Sequence, residues 1–407
     1  LCSSLMTETA RIFNSNRSKV HAVLLDATKA FDRIDFGRLF SILLDKQVNS
    51  LYTRCLLYMY MNQKLRIHWN GAYSETFFVT NGVKQGGVLS PILFGLYLDR
   101  LIVALRQSGS GCYVGPHFVG CLAYADDIVL MSPTKSGLQN MLSICEQFSD
   151  DYKLKFNGSK SQYIIFEQRG GHSDGHLKVF EKLLKNQLSV LHLGHRIYSD
   201  MRQHDVDGII GSFYRQFNFF KCRFGRIASS VQARLFKVQC SSFYGAMLQP
   251  LQMLQKVRVV WRKSLRLVWK LPYMTHCSIL SCLSNGLCDK HLFLSRFAVF
   301  AASALTHKSD VIRFVMNTSL KAKGSLLRQN VQYCCEQLET TMDDLKSKNV
   351  SVIKRDILKL CDENCKKDED RVKAITIIEL MDTMDNLNEC ILDFDEMQII
   401  INNLCTN

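Results

Sequence analysis

The feature that most constrains this chain is a pair of adjacent acids, Asp126 and Asp127. They sit inside the run Val119-Gly-Cys-Leu-Ala-Tyr-Ala-Asp-Asp-Ile-Val-Leu-Met131, whose composition is otherwise that of buried β-structure. An ionised carboxylate removed from water costs several kcal/mol unless a cation or strong donors meet it, so side-by-side acids between apolar strands point to a bound metal. A third acid stands in a matching context about a hundred residues earlier, where Val20-His-Ala-Val-Leu-Leu ends in Asp26. Three acids at the ends of apolar strands are harder to explain as caps or surface charge than any one alone.

Carboxylates converging from neighbouring strands meet the need of two-metal phosphoryl transfer, in which one ion activates an attacking hydroxyl and the other steadies the leaving group. Magnesium suits such a site, because it takes a few carboxylate oxygens and leaves positions for phosphate oxygens and water. Between Asp26 and Asp126 lies Asn81-Gly-Val-Lys-Gln-Gly-Gly-Val-Leu-Ser-Pro91, after an expected strand and before an expected helix. Gly82, Gly86 and Gly87 allow backbone to approach a ligand, Gln85 offers a two-ended amide, and Ser90-Pro91 marks a helix start. A glycine-rich turn of this kind is more often only a turn, and its position between the acids is what raises its value.

The 407 residues suffice for two or three domains, and 47% apolar with 22% charged residues is ordinary globular composition. The longest apolar stretch, Leu292 to Leu305, contains Arg296 and is too short to span a bilayer, so no membrane association and an intracellular location are expected. The sixteen cysteines are scattered and contain no Cys-x-x-Cys pair, and Cys361 and Cys365 lack a downstream histidine. Reduced thiols and no structural zinc are therefore expected.

The formal charge of +14 is unevenly placed. Between Gly208 and Cys288 there is no Asp or Glu, while the window holds Arg258, Arg262, Lys263, Arg266 and eight further bases. Interleaved aromatics, among them Phe213, Tyr214, Phe219, Phe220, Trp261 and Trp269, make this the footprint of a nucleic-acid surface, with rings available for packing or stacking. The plainer alternative is a set of amphipathic helices with solvated basic faces. From Glu336 to Glu396 the balance reverses to seventeen acids against nine bases.

Pattern changes divide the chain into 1–205, 206–310 and 311–407. The first reads as α+β: a strand near His21–Asp26, helices near Phe36–Leu44 and Leu51–Met61, strands Lys64–Trp69 and Glu75–Thr80 joined at Asn70-Gly71, a helix at Ile92–Gln107, the double-acid hairpin, a helix over Leu138–Tyr152, and strands near Tyr163–Phe166 and Leu188–Leu193. The second and third read as helical.

The order of motifs resembles the reverse transcriptase domain of non-LTR (LINE-type) retrotransposons, particularly the jockey-like branch. Leu25-Asp-Ala-Thr-Lys-Ala-Phe-Asp-Arg-Ile34 is similar to that family's first palm motif, Gly82 to Pro91 to its second and Tyr124-Ala-Asp-Asp127 to its third. Leu154-Lys-Phe-Asn-Gly-Ser-Lys-Ser161 resembles the next, and Leu191-His-Leu-Gly194 the primer-grip turn. Tyr244-Gly245, Val260-Trp-Arg-Lys-Ser-Leu-Arg266 and Leu271-Pro-Tyr-Met-Thr-His276 look like the thumb and downstream segment, so the resemblance covers about residues 1 to 300.

The resemblance implies a right-hand polymerase palm, an antiparallel sheet with flanking helices and partial fingers, followed by a basic helical thumb and a helical C-terminal region. It implies an RNA-directed DNA polymerase that adds dNTPs to a primer 3′-hydroxyl on an RNA template. Asp26, Asp126 and Asp127 would hold two Mg2+ ions, with Mn2+ possible, and Lys160 would be the general acid for pyrophosphate. Phe31 would lie under the sugar of the incoming nucleotide and exclude a 2′-hydroxyl, though a core aromatic is an equal reading of that position. Gln85 and Gly86 would border nucleotide and template, and Tyr124 would brace the hairpin near the primer end. Leu193 and Gly194, with Arg258, Arg262, Lys263 and Arg266, would contact nucleic acid. Asp32 is expected to cap the following helix, with Lys29 pairing to it or reaching phosphate.

Expected partners are template RNA, primer or target DNA, and dNTPs, with the nucleus as the site of target-primed synthesis and the cytoplasm as that of RNA assembly. Gly87 stands where relatives more often carry Ser, Asp or Cys. Leu1 precedes Asp26 by only some twenty-five residues, which reads as an N-terminal truncation lacking fingers strands and endonuclease. A truncated relic that only binds nucleic acid, and a group II intron-type maturase, are the competing readings.

Overall fold

The computed structural model describes residues 1–167, 176–277, 279–280, 289–347 and 351–357, together with Lys359 and Thr376. These fall into two compact units, Leu1–Gln203 and His204–Asn407.

The first unit is built on β1 (Val20–Asp26), and its register explains the rest. Short hairpins follow: β2 (Lys64–Leu65) pairs with β5 (Phe77–Phe78), β3 (His68–Trp69) with β4 (Ala72–Tyr73), and β6 (Tyr113–Val114) with β7 (His117–Phe118). Then come β8 (Cys121–Tyr124), β9 (Asp127–Ser132), β10 (Gln162–Phe166), β11 (His176–Val179), β12 (Lys182–Gln187), β13 (Ser189–His192) and β14 (His195–Tyr198). The main sheet has the order β11-β12-β10-β1-β9-β8, with β1 antiparallel to both of its neighbours. Only the β10–β12 contact is parallel. Residues 22 to 25 of β1 are all buried, which requires cover on both sheet faces because successive side chains alternate.

Helices provide that cover. They are α1 (Cys2–Ser15), α2 (Phe36–Asp45), α3 (Ser50–Met61), α4 (Ser90–Gln107) and α5 (Lys135–Tyr152). Val23, Leu25, Ile128, Leu130, Tyr163 and Ile165 form one core with Leu39, Phe94, Tyr97, Leu101, Met141 and Leu142. Helix α1, which contacts β1 and β8, was not read from the sequence, because Ser3, Ser4, Glu8 and Thr9 look solvated yet are buried. Helix starts follow local chemistry: Asn49 caps α3, Thr134 accepts from Gly137 at the start of α5, and Pro91 occupies the first turn of α4.

The expected strand Lys64–Trp69 is broken into β2 and β3, and of the expected Glu75–Thr80 only Phe77–Phe78 is strand, with β4 lying ahead of it. The amide of Ile67 donates to the Ser74 hydroxyl at 2.8 Å, a bulge that interrupts pairing between the two short ladders. Asn70 and Gly71 do form the anticipated tight turn, with φ of 47° and 81°.

In the second unit, α6 (Val206–Phe224), α7 (Ser229–Cys240) and α8 (Gln255–Val268) pack around Phe213, Phe217, Phe220, Phe236 and Trp261. Helices α9 (Asp289–Leu305), α10 (Asp310–Ser319), α11 (Leu326–Gln337) and α12 (Met342–Ser347) follow, and residues 351–357 are also helical. Most of the acidic stretch up to Glu396 lies outside the described residues. Among those residues no helix is long and apolar enough to cross a membrane.

Candidate active site

The β1–β9 register pairs Val23 with Leu130, Leu24 with Val129, Leu25 with Ile128 and finally Asp26 with Asp127. Directly opposed residues of an antiparallel pair have Cα atoms roughly 4.5–5.5 Å apart, so the first and third motifs meet at one point of the sheet. Asp126 adjoins them in the two-residue turn that joins β8 to β9, where Tyr124 pairs with Asp127. That turn puts Ala125 at φ 53°, a left-handed conformation that non-glycine residues adopt at some energetic cost.

The acids are not buried between strands as the sequence suggested. Asp126 and Asp127 are exposed and Asp26 is half-buried, because β8 is a short edge strand and the hairpin tip projects past the sheet. The residual desolvation of Asp127 raises its pKa, and the negative charges of Asp126 and Asp26 raise it further. Like charges directly across a sheet repel. Among the described residues no lysine or arginine forms an ion pair with any of the three.

This unneutralised set has the oxygen-donor chemistry of a hard divalent cation. Among the described residues no three His, Cys, Asp or Glu side chains are already spaced as a metal cage. Magnesium does not demand one, since it is usually held by one or two carboxylates with substrate phosphates and water completing the shell.

Around the acids, the first and fourth motifs are stitched together through backbone. Asn157 N–H donates to the Asp26 carbonyl at 2.8 Å, Thr28 N–H to Lys155 at 2.9 Å, and Ala27 bridges Phe156. Lys160 follows in a turn whose amides at 160 and 161 donate to the Asn157 carbonyl, and its side chain is exposed. Asn157 was not singled out from the sequence, although Asn-Gly at 157–158 is a strong turn signal.

The first and second motifs are held as closely. Gly82 N–H donates to Ile34 at 2.8 Å and Val83 N–H to Phe31 at 2.7 Å. With φ at 89°, Gly82 would place a Cβ 2.8 Å from the Asp32 Cα, so its role is approach to backbone rather than to a ligand. Gly86, at φ 77°, is the third residue of a turn closed by Gly87 N–H to the Lys84 carbonyl at 2.9 Å. A Cβ there would meet nothing within 4 Å, and Gln85 beside it is exposed, with its amide 3.4 Å from the Asp32 carboxylate. At Gly87 a Cβ would come within 2.7 Å of the Ser90 hydroxyl, which itself bonds the Lys84 carbonyl.

Phe31 stacks on Phe94 with centroids 4.7 Å apart and keeps part of its ring exposed, so it serves the core on one face while the remainder stays open. Tyr124 is 61% exposed at the hairpin start. Asp32 does not cap α2. That cap is Asp35, whose carboxylate accepts Arg38 N–H at 3.0 Å and pairs with Lys153 at 2.6 Å, holding its pKa below the ordinary value. Leu193 and Gly194, at φ 48° and 76°, form the tight turn of the β13–β14 hairpin. The neighbouring His192 is buried with its Nδ1 2.9 Å from the Ser3 hydroxyl.

The basic residues Arg258, Arg262, Lys263 and Arg266 belong to α8 in the second unit. At a hundred degrees per residue Arg262, Lys263 and Arg266 lie away from buried Val257, Trp261, Ser264, Leu265 and Val268, whereas Arg258 flanks that buried face beside Leu265. Lys263 is exposed, whereas Arg266 is committed to structure, donating to the Thr275 carbonyl at 2.6 and 3.1 Å. Of the aromatics, Phe213, Phe220, Trp261 and Trp269 are core residues; Tyr214 and Phe219 reach the surface.

Residues 3–197 match the family "Reverse transcriptase (RNA-dependent DNA polymerase)". That stretch, with its α+β palm, is a reverse transcriptase domain. Among curated relatives, the chain is 26% identical over 176 residues to the Pol polyprotein of the type-1 retrotransposable element R2 of Nasonia vitripennis, covering 43% of the chain and 17% of the relative. It is 35% identical over 136 residues to the Pol polyprotein of the type-2 element R2DM of Drosophila melanogaster, covering 33% and 13%. The chain thus spans under a fifth of the length of these relatives. Among solved structures it is similar to apo telomerase from Candida tropicalis, at 12% identity and a TM-score of 0.36, covering 100% of this chain and 56% of that one.

Proposed function

We propose that the chain provides the polymerising centre of a non-LTR retrotransposon, an RNA-directed DNA polymerase that extends a primer 3′-hydroxyl with dNTPs on an RNA template. The observation that carries this reading is the pairing of Asp26 with Asp127 beside Asp126 at the ends of their strands, where among the described residues no lysine or arginine forms an ion pair with them. Divalent ions, for which magnesium is the favoured identity, would be held by these three carboxylates and would supply the positive charge that phosphoryl transfer needs.

The chain's own residues do the rest. Asp26 stays in place because Asn157 and Leu25 flank it with backbone hydrogen bonds and sheet pairing. The half-exposed ring of Phe31, fixed against Phe94, supports selection against a 2′-hydroxyl. Gln85 and Gly86, on an open turn tied to Asp32, suit contact with nucleotide and template. Lys160 carries a proton-donating ammonium on the loop anchored to Asp26, as a general acid for pyrophosphate requires. Leu193, Gly194 and the basic face of α8 are assigned to primer and template, and the second unit to the thumb with the tail beyond it.

Primer extension on an RNA template with magnesium and dNTPs tests the reading. Product is expected from the wild type and none from Asp126→Ala or Asp26→Asn; equal activity in wild type and variants would remove catalysis from these acids.

A further inference from the structure

The hairpin arm from Lys64 to Phe78 stands outside the core. Every residue in it is exposed, although the stretch is rich in the aromatic side chains that burial favours. Its two sides differ in chemistry. Residues two apart on an extended strand share a side with each other and with the residues directly opposite, so Lys64, Arg66 and His68 stand with Phe78 and Tyr73. The other side carries Leu65, Ile67, Trp69 and Phe77 and is wholly apolar.

The first side interleaves cations with rings. Lys64 Nζ sits 4.9 Å over the Phe78 ring, the Arg66 guanidinium sits 4.1 Å over the Tyr73 ring, and the His68 ring centroid is 4.5 Å from that of Tyr73. Attraction between a cation and a ring face holds these side chains in order without burying them. Tyr73 and Phe78 each remain 58% exposed. Glu75 is the sole acid between Lys64 and Phe78, so the arm is net positive. From Lys64 to His68 an extended strand covers roughly 13 Å, several times the spacing of roughly 3.4 Å between stacked nucleotides.

We propose that this side of the arm is a stacking platform for single-stranded nucleic acid. Bases lie on the exposed Tyr73 and Phe78 rings and on the Arg66 plane, while Lys64 and Arg66 meet the phosphates. Open rings beside cations are what a single strand requires, and every base offers a face to them, so binding is tolerant of sequence. A duplex fits less well, because its base faces are already stacked on one another. A protein partner suits the apolar side better, since it asks for no cations. The platform goes beyond the polymerase reading, because stacking needs neither metal nor dNTP.

Fluorescence anisotropy of the full chain without divalent ions or dNTPs tests it, with labelled oligouridylate, oligothymidylate and an RNA duplex, each about ten nucleotides long. Tyr73→Ala/Phe78→Ala should bind the single strand at least about tenfold more weakly and the duplex as wild type does. Ile67→Ser/Trp69→Ser, on the other side, should bind both as wild type does. Lys64→Gln/Arg66→Gln keeps the rings and should lower the salt slope by roughly 1.4, the share of two phosphate contacts on a single strand. It keeps the test valid if removal of the rings disturbs folding in thermal denaturation. Binding of oligouridylate alone identifies RNA as the ligand; binding of both strands identifies any unpaired strand. No single-strand binding by the wild type, an equal loss on the duplex, or a loss that follows the Ile67 and Trp69 changes instead would overturn the platform. Sedimentation in which the ring variant loses only a self-associated form would assign the arm to protein contact and overturn it too. Asp126→Ala should bind the strands as wild type does, so the platform and the polymerase reading fail separately.

Discussion

At the scale of single residues, the decisive quantity is the mutual repulsion of Asp26, Asp126 and Asp127. The Asp127 pKa is raised in the folded state, first by partial burial and then by its two neighbours, so the folded chain holds a proton that the unfolded chain has lost. Stability from this group therefore falls as pH climbs through the ordinary carboxylate range. With a chelator present, Asp127→Asn should raise the thermal midpoint at pH 7, and its advantage should vanish below about pH 3.8, the unperturbed value. An unchanged midpoint at pH 7 would mean the charges are better screened than their register implies. Gly82 obeys a different constraint, because left-handed backbone and a 2.8 Å approach to Asp32 leave no room for a methyl group. Gly82→Ala should cost about 2 kcal/mol or more in urea unfolding, combining left-handed strain with a backbone clash.

At the scale of elements, α8 separates two uses of basic side chains that look alike in sequence. Lys256 and Lys263 are exposed, while Arg266 fastens the following turn through the Thr275 carbonyl. Replacing both lysines by alanine should weaken RNA binding and reduce the slope of its salt dependence by roughly two, one for each lost phosphate contact, without shifting the thermal midpoint. Arg266→Ala should instead lower the midpoint, since two hydrogen bonds to a carbonyl are lost. If Arg266→Ala changed only the salt slope, its role would be contact with nucleic acid after all.

For the whole molecule, closure of the first unit depends on contacts between distant parts of the chain. Helix α1 meets the β13–β14 hairpin where Ser3 bonds buried His192, 189 positions away in sequence. Burial pushes the His192 pKa down to about 4, with the charges of His195 and the N-terminus adding to the effect. The folded state thus requires the neutral ring, and stability drops as pH falls from about 6.5 toward 4, where the unfolded chain binds a proton and the folded chain does not. The denaturant midpoint should decline from pH 7 to pH 5 in the wild type, and His192→Gln should flatten that decline. Parallel curves would show that other groups dominate the pH response.

The strand-end acids and the glycine-rich loop were legible in sequence because each is a local pattern, apolar runs that end in an acid and glycines before a helix, whereas the fourth motif was legible only as a resemblance and its Asn157-Gly158 turn was not singled out. Helix α2 was legible too, though its cap was misassigned: Asp32 lies a full turn before Phe36, and it is the adjacent Asp35 whose carboxylate accepts the Arg38 amide. Helix α1 was illegible, because its polar residues are buried by partners far along the chain. By itself the sequence determined which residues carry charge and which segments favour strand or helix, for these follow from composition and period. Tertiary structure alone decided that Asp26 faces Asp127, that the acids stand in the open, and that Arg266 is committed to the Thr275 carbonyl. Those outcomes depend on strand register and long-range packing, which no short stretch of chain encodes.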